Sequence, residues 1–383
     1  MMDTSRKKTT LFALTFVAFI AAKVLVLNLP PKYFYDNNRI VSMVNRDGAL
    51  SSWTGSYQTT AEVFDFINIL KLNSMLEWSI VLGLIFTTFI SIFIFTNCEF
   101  DFYQELFWLC CIVLLNIYVF NIGKDLIQFC FFFTSFLIAK SNLSTSIRVI
   151  SISILFYIES VYFRSYFILV VVFFVAIIIL TMKMRSNNTK AKPRTYYFYI
   201  LLTVYVFLIM SSVLFPEQYE DVTNVRAGVN DGREGSADAA TLISNVIPGN
   251  SLLIALINYP INALRMLIPL ELLIKGVAYI PFVVFQLFAT FYLVQYSKGI
   301  LNKSITGSHN YIIYSIYLSF LLTSFFFEPD FGSWVRHEMA AFPVFQFLFF
   351  SKYCHITINI KRNTIKSISL QAQEAQKHLR KIL

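Results

Sequence analysis

Ionisable residues occupy three short segments that separate long apolar runs. Lys124 and Asp125 are adjacent at the start of one apolar run, and Glu159 and Arg164 bracket the next short turn. Charges at the edge of an apolar slab are costly unless they pair or serve a site. The third segment contains Glu328, Asp330, Arg336, His337 and Glu338.

The residue types in these segments suit phosphate chemistry. Arg can bind a phosphate through two parallel hydrogen bonds, and Lys acts as a point charge. A carboxylate or a His in the same site can act as a general base toward a hydroxyl. We therefore expect a substrate with a phosphate or pyrophosphate and an acceptor hydroxyl close by. No cluster of Cys and His has metal-ligand spacing, so the expected chemistry is metal-independent and uses no cofactor.

Each candidate residue also has a purely structural interpretation. Lys124 and Asp125 can form a salt bridge at a helix end, and Arg164 can extend its head group to the interface. Arg336 and His337 can cap the last apolar helix. The candidate pyrophosphate-binding residues are Arg164, Arg336, Lys124, Arg226, Arg233 and Arg265. The candidate catalytic residues are His337, Glu328, Asp330 and Asp125.

The elements that must position these residues are membrane helices. The chain has 383 residues, of which 57% are hydrophobic and 14% charged, whereas soluble domains carry about 25% charged residues. The sequence predicts an all-α polytopic membrane protein with about ten transmembrane helices. The expected spans lie near 11–29, 78–95, 106–120, 126–139, 149–163, 166–182, 196–214, 279–296, 311–327 and 339–351.

The distribution of Lys and Arg predicts the orientation of the chain. With the N-terminus inside and the spans alternating, more Lys and Arg lie inside than outside, which favours two cytoplasmic termini. The net charge of +9 is then a topology signal and not a nucleic-acid signal. Residues 1–351 form one transmembrane domain with long external loops at 30–77 and 215–278, and 352–383 form a basic cytoplasmic tail. We expect interface anchors such as Tyr57 in the first loop and short interfacial helices in the second.

Three short motifs carry a resemblance to a known family. They are GKD at 123–125, FRSY at 163–166 and FGSWVRH at 331–337. In this order and layout the chain resembles Wzy-type O-antigen or exopolysaccharide repeat-unit polymerases of bacterial surface-polysaccharide assembly. The resemblance implies transfer of an undecaprenyl-pyrophosphate-linked glycan to another lipid-linked repeat unit at the periplasmic face. The related O-antigen ligases use Arg and His of a large periplasmic loop, but the loop 215–278 contains no His.

The same resemblance implies location in the bacterial inner membrane. It implies contact with membrane lipid, allows a chain-length regulator protein as a partner, and involves no nucleic acid. Two alternatives remain open. A GT-C-type transferase that uses a lipid-phosphate sugar usually has an acidic pair soon after the first span, but Asp36 and Asp47 are not adjacent. A transporter or flippase would have inverted halves and charges at mid-membrane.

Overall fold

The regular structure of this chain is helical throughout its described parts. The computed structural model describes residues 4–47, 54–97, 100–186, 193–214, 241–249, 251–276 and 279–350. Within these ranges, the pairing of extended backbone is confined to one isolated bridge between Leu242 and Asp330. The predicted basic tail, 352–383, lies outside the described residues, as do Arg226 and Arg233.

Fifteen α-helices are described, with one π-helical turn (Leu115–Val119) after the fifth. The first eight are α1 (Thr4–Asn28), α2 (Tyr35–Val44), α3 (Ser56–Ile67), α4 (Met75–Asn97), α5 (Phe102–Leu114), α6 (Lys124–Lys140), α7 (Thr145–Tyr162) and α8 (Phe167–Ser186). The others are α9 (Pro193–Leu214), α10 (Leu252–Leu267), α11 (Glu271–Lys275), α12 (Ile280–Leu301), α13 (Ser308–Phe327), α14 (Phe331–Ala340) and α15 (Phe342–Phe350).

Eight of these segments are long and apolar enough to cross a membrane, which confirms the prediction of a multi-pass, all-α membrane protein. They are α1, α4, α5 with its π turn, α7, α8, α9, α12 and α13. Two further predicted spans correspond to shorter helices. α6 has 17 residues and α15 has nine, fewer than the roughly 20 that a bilayer normally requires.

α13 is the central helix of the bundle. Its apolar window is 83% buried, against 17% for α9. α13 packs along α8, and its Phe320 ring lies 5.2 Å from Phe132 of α6 and 6.1 Å from Trp334 of α14. These aromatic contacts fix α6 and α14 on the same side of α13, and both of those helices carry residues of the candidate site.

The turn between α5 and α6 is buried within protein. Phe120 and Ile122 are fully enclosed, as expected for irregular backbone near the depth of a membrane. The π turn that precedes it changes the helical hydrogen-bond pattern, and Lys23 of α1 donates to the Asn116 carbonyl at 2.8 Å. Lys23 also donates to Ser79 Oγ at 2.8 Å. These bonds anchor the turn that leads to Lys124.

Both long predicted loops contain helices. The first, in which we expected interface anchors, holds α2 and α3, and these two helices pack on each other. In the second, the expected short helices are present as α10 and α11. The structure therefore places a helical pair, here called the cover helices (α2 and α3), beside the ends of the spans.

Candidate functional site

Asp125 lies at the centre of a group of ionisable side chains from distant parts of the chain. Its carboxylate forms a short charged hydrogen bond with Arg164, which belongs to the turn between α7 and α8. Arg336 Nε lies 3.4 Å, and His337 Nε2 3.7 Å, from the same carboxylate. The three segments singled out in the sequence therefore meet around one buried anion. The ion cluster consists of Asp36, Asp125, Arg164, Glu328, Arg336 and His337.

Local structure explains why Asp125 points into the cluster. It lies in the first turn of α6, where the free backbone N–H groups favour a negative charge. Arg164 follows the end of α7, and its backbone N–H donates to the Glu159 carbonyl at 3.0 Å. The Arg164 guanidinium also donates to the Tyr166 hydroxyl at 2.7 Å. Arg164 is thus held from two sides and is only 9% exposed.

Arg336 is less tightly held than Arg164. Its side chain is 25% exposed, and its NH1 lies 3.7 Å from Asp36 of α2. The Asp36 carboxylate, 30% exposed, accepts a hydrogen bond from Tyr57 at 2.6 Å. Although burial opposes it, this hydrogen bond together with the charge of Arg336 lowers the pKa of Asp36 below its ordinary value. Arg336 and Asp36 form the accessible rim of the cluster.

The cover helices contact the start of α6 directly. The Tyr57 ring of α3 lies under Lys124 Nζ, 3.6 Å from the ring centroid, which is a cation–π contact. Asn37 of α2 donates to the Ile122 carbonyl at 2.6 Å. Gly123 permits this approach, because a Cβ there would lie 2.8 Å from Asn37 Nδ2. Tyr57 therefore orders the site instead of acting only as an interface anchor.

Glu328 and His337 form a hydrogen-bonded pair in the floor of the cluster. His337 Nδ1 lies 2.6 Å from Glu328 Oε1; the Glu328 side chain is buried and the His337 side chain is 12% exposed. Burial, with the charge of Asp330 adding to it, raises the pKa of Glu328 to about 8. Burial and the nearby Arg164 lower the pKa of His337. Both shifts favour a pair in which the protonated Glu328 carboxyl donates to Nδ1 of a neutral imidazole.

The remaining predicted residues do not share one location in the structure. Asp330 caps α14, where Oδ1 accepts from the Ser333 N–H at 2.8 Å and Oδ2 from the Ser333 hydroxyl at 3.0 Å. Arg265 forms a two-pronged ion pair with Glu271, at 2.7 and 2.8 Å, within the α10–α11 segment. None of the contacts described for Arg265 reaches the ion cluster. Arg226 and Arg233 cannot be placed, because they lie outside the described residues.

Sequence reasoning missed Asp36 and Tyr57 as members of the site. Asp36 was weighed only as half of an acidic pair, and Tyr57 only as an anchor. A signal was present, because α2 carries the charged residues Asp36 and Arg39 close to the end of an apolar span. A contact between residues 36 and 336 nevertheless depends on how the helices pack, and no local pattern shows it.

The arrangement can bind an anion at its rim and move a proton at its floor. Arg336 and Lys124 present cationic groups beside the partly exposed Asp36, while Arg164 is neutralised by Asp125. His337 and Glu328 share a proton. The described residues contain no group of three or more Cys, His, Asp and Glu side chains placed to hold a metal.

Comparison with known proteins adds no relative. No protein-family model, curated protein or solved structure matches this chain.

Replacing Asp125 by Asn should destabilise the protein strongly. The variant would leave Arg164 and Arg336 without their shared carboxylate, and breaking a buried ion pair typically costs about 3–5 kcal/mol. Unfolding of the purified protein in mixed detergent and SDS micelles measures this loss. The matched control is Asp65→Asn, which breaks the exposed Arg46–Asp65 pair at 3.7 Å and should cost below about 1 kcal/mol. Equal stability of the two variants would contradict the central role of Asp125.

The raised pKa of Glu328 predicts a pH dependence of stability. A carboxyl whose folded-state pKa is about 8 binds more proton in the folded state than in the unfolded state. Its contribution is therefore lost as pH rises through that value. The lowered pKa of His337 makes the free energy of unfolding rise with pH below about pH 6.5. The effect of Glu328 is therefore measured above that pH. Between about pH 6.5 and 8, the free energy of unfolding should fall by roughly 1–2 kcal/mol. Glu328→Gln should remove this slope, and an unchanged slope would refute the assignment.

Proposed function

We propose that this protein is a glycosyltransferase that joins undecaprenyl-pyrophosphate-linked oligosaccharide repeat units. The observation that carries the proposal is the ion cluster, in which Asp125 gathers Arg164, Arg336 and His337 at the ends of apolar helices. A lipid-linked substrate places its pyrophosphate at the membrane interface, where such helix ends lie. The three motifs that resemble repeat-unit polymerases all contribute to this cluster.

The pyrophosphate is the leaving group in this reaction. Arg336 and Lys124 would contact it first, because they are the more accessible cations. Arg164 would exchange Asp125 for the pyrophosphate as the substrate enters. Electrostatic stabilisation of a leaving group in a water-poor site is worth about 3 kcal/mol for each well-placed donor. Arg226 and Arg233, which lie outside the described residues, would help to guide the donor lipid.

His337 is the base that we favour. The hydroxyl oxygen of the acceptor sugar forms the new bond to the anomeric carbon, and the bond from that carbon to the pyrophosphate oxygen breaks. The hydroxyl proton passes to His337 Nε2, and undecaprenyl pyrophosphate departs with the electron pair. Nε2 can accept this proton only in the tautomer in which it carries none. Glu328 first loses its proton to solvent, and the imidazole proton moves to Nδ1, which donates it to the Glu328 carboxylate. Asp125, flanked by two guanidinium groups, is a weaker base and serves to position them.

The proposal includes a membrane arrangement. About ten segments cross the membrane, with α6 and α15 as shorter elements enclosed by protein. Both termini are cytoplasmic, one large loop at 215–278 is periplasmic, and the protein resides in the bacterial inner membrane. A chain-length regulator would then contact the periplasmic side.

Asp36 favours a second candidate, a GT-C-type transferase that uses a lipid-phosphate sugar. Asp36 follows α1 closely in the chain, is partly exposed, and lies 3.7 Å from Arg336. A single carboxylate in this place could deprotonate the acceptor without an adjacent acidic partner. Transport by a flippase is less favoured, because the ion cluster lies at helix ends; the buried Lys23 bonds to Ser79 and a backbone carbonyl.

Replacing Arg336 by Ala should abolish long polymer and leave single repeat units on the lipid carrier. The loss of one donor to the leaving group should lower turnover by about 100-fold or more. Arg336→Lys should recover part of it, since Lys keeps the charge but not the planar fork. Glycan profiles of strains that carry equal amounts of each variant measure the effect, with Arg46→Ala as the exposed control. Wild-type chain lengths in the Arg336→Ala strain would refute the proposal.

The glycan profile of a strain that lacks the protein separates the candidates. Accumulation of single lipid-linked repeat units supports the polymerase. Complete absence of the unit supports the GT-C-type transferase, and Asp36→Asn should then reproduce that absence. Accumulation on the cytoplasmic side supports a flippase.

The membrane arrangement predicts opposite accessibility for two neighbouring turns. Ser165 lies in the turn after α7 and Asn142 in the turn before it, and both are exposed. A membrane-impermeant maleimide should label Ser165→Cys in right-side-out vesicles and Asn142→Cys only in inverted vesicles. The unmodified chain is the control for native cysteines. Labelling of both variants from one side would refute the arrangement.

A further inference from the structure

Two buried polar side chains lie one helical turn inward from the Asp125–Arg164 pair. Gln128 of α6 and Glu159 of α7 are each only 1% exposed. Within the described part of the chain, both amide atoms of Gln128 and both carboxylate oxygens of Glu159 lack a hydrogen-bond partner. Buried polar groups are nearly always hydrogen-bonded in folded proteins. Four such atoms at one level of the bundle therefore point to a missing ligand.

Aromatic contacts place the two side chains on the faces of α6 and α7 that pack against each other. On α6, Phe131 and Phe132 contact Phe163 and Phe156 of the α7 segment, with ring centroids 5.8 and 5.5 Å apart. Gln128 precedes these two residues by about one turn on the same face of α6. Glu159 lies between Phe156 and Phe163 in the chain. The two polar groups do not bond to each other, so each is left to bond to a further group.

Gln128 and Glu159, here called the polar recess, are bordered by an ion pair on one side and by aromatic rings on the other. The Asp125–Arg164 pair lies above it. The positive charge of Arg164 interacts electrostatically with the Glu159 carboxyl. Below it, Phe132 packs against Phe156 and Phe167, at ring distances of 5.5 and 6.0 Å. A few polar groups over an aromatic floor are typical of sites for uncharged ligands with hydroxyl or amide groups.

The chemistry of Gln128 and Glu159 limits the class of ligand that can bind to them. A phosphate would be repelled by the carboxyl of Glu159, and a lone carboxyl with one amide is too small a set for a metal ion. An amide offers both a donor and an acceptor, and a carboxyl accepts from a hydroxyl or, when protonated, donates to a carbonyl. Hydroxyl and acetamido groups of a sugar can form hydrogen bonds with both the Gln128 amide and the Glu159 carboxyl.

We propose that Gln128 and Glu159 form a subsite for an uncharged hydroxyl or acetamido group of the glycan at the reaction centre. This subsite rests on the proposed glycosyl transfer and extends it. When the pyrophosphate takes Arg164 from Asp125, the pair that covers the recess separates and the sugar can enter. Binding of the lipid-linked phosphate and binding of the sugar are thereby coupled through Arg164.

The test uses the full-length protein in lipid nanodiscs. The binding probe is the repeat-unit oligosaccharide, released by mild acid from lipid that accumulates in a strain lacking the protein, with inorganic pyrophosphate present. Gln128→Leu and Glu159→Leu should each weaken oligosaccharide binding about tenfold, the effect of one lost hydrogen bond. With the intact lipid-linked unit, they should raise KM by a similar factor and leave kcat nearly unchanged. Glu159→Gln should bind like the wild type.

Matched controls lie on the same two helices. Thr134→Val, on the exposed side of α6, and Ser160→Ala, next to Glu159, should leave binding and KM unchanged. Unaltered binding and KM in both Leu variants would overturn the subsite and leave buried water as the partner of these groups. A wild-type protein that binds the oligosaccharide but forms no polymer would instead refute the proposed function.

A second measurement does not require the Leu variants to fold. The infrared carboxyl band that disappears in Glu159→Gln identifies Glu159 in the wild type. Addition of the oligosaccharide and inorganic pyrophosphate should shift this band, because the carboxyl gains a hydrogen-bond partner. A band that stays in place at saturating oligosaccharide would overturn the proposal.

Discussion

A single buried carboxylate must be neutralised by groups that are far apart in the sequence, and this requirement organises the site. Asp125 draws the turn after α7 and the start of α14 to the first turn of α6, because neither guanidinium nor carboxylate is stable alone away from water. The helices that supply these charges pack around α13, whose Phe320 contacts α6 and α14. The aromatic core and the ion cluster thus specify the same arrangement.

The rest of the site depends on how closely the cover helices approach the segment that leads to Asp125. Gly123 allows Asn37 to bond to the Ile122 carbonyl, which brings the cover helices over the start of α6. Asp36 then reaches Arg336, and Tyr57 reaches both Asp36 and Lys124. Below this layer, Lys23 bonds to the carbonyl of Asn116 in the π turn. Each contact fixes one more side of the segment 115–125, so the position of Asp125 is determined from several directions.

The sequence predicted the class of fold and part of the site. Apolar runs identify membrane helices because a bilayer sets their length, and eight helices meet that requirement. The charges at 124–125, 164 and 336–337 stood out because they interrupt such runs. By contrast, Asp36 and Tyr57 are ordinary polar residues of a predicted loop, and their role follows from tertiary contacts. The candidate base Asp330 caps α14, and the candidate anion ligand Arg265 pairs with Glu271. A residue type shows what a side chain can do, whereas its neighbours decide which of these roles it performs.

The Asp125–Arg164 pair also bears on how the chain is made. The two residues are 39 positions apart, Asp125 on α6 and Arg164 in the turn after α7, and α6 and α7 contact each other. A ribosome therefore completes this pair long before it reaches Arg336. The α6–α7 hairpin can therefore enter the lipid with this ion pair already formed, which lowers the barrier to insertion. The ion cluster becomes complete only when the last helices arrive. Nascent chains thus carry an Asp125–Arg164 pair that is already neutral, and the cationic rim forms at the final stage of biogenesis.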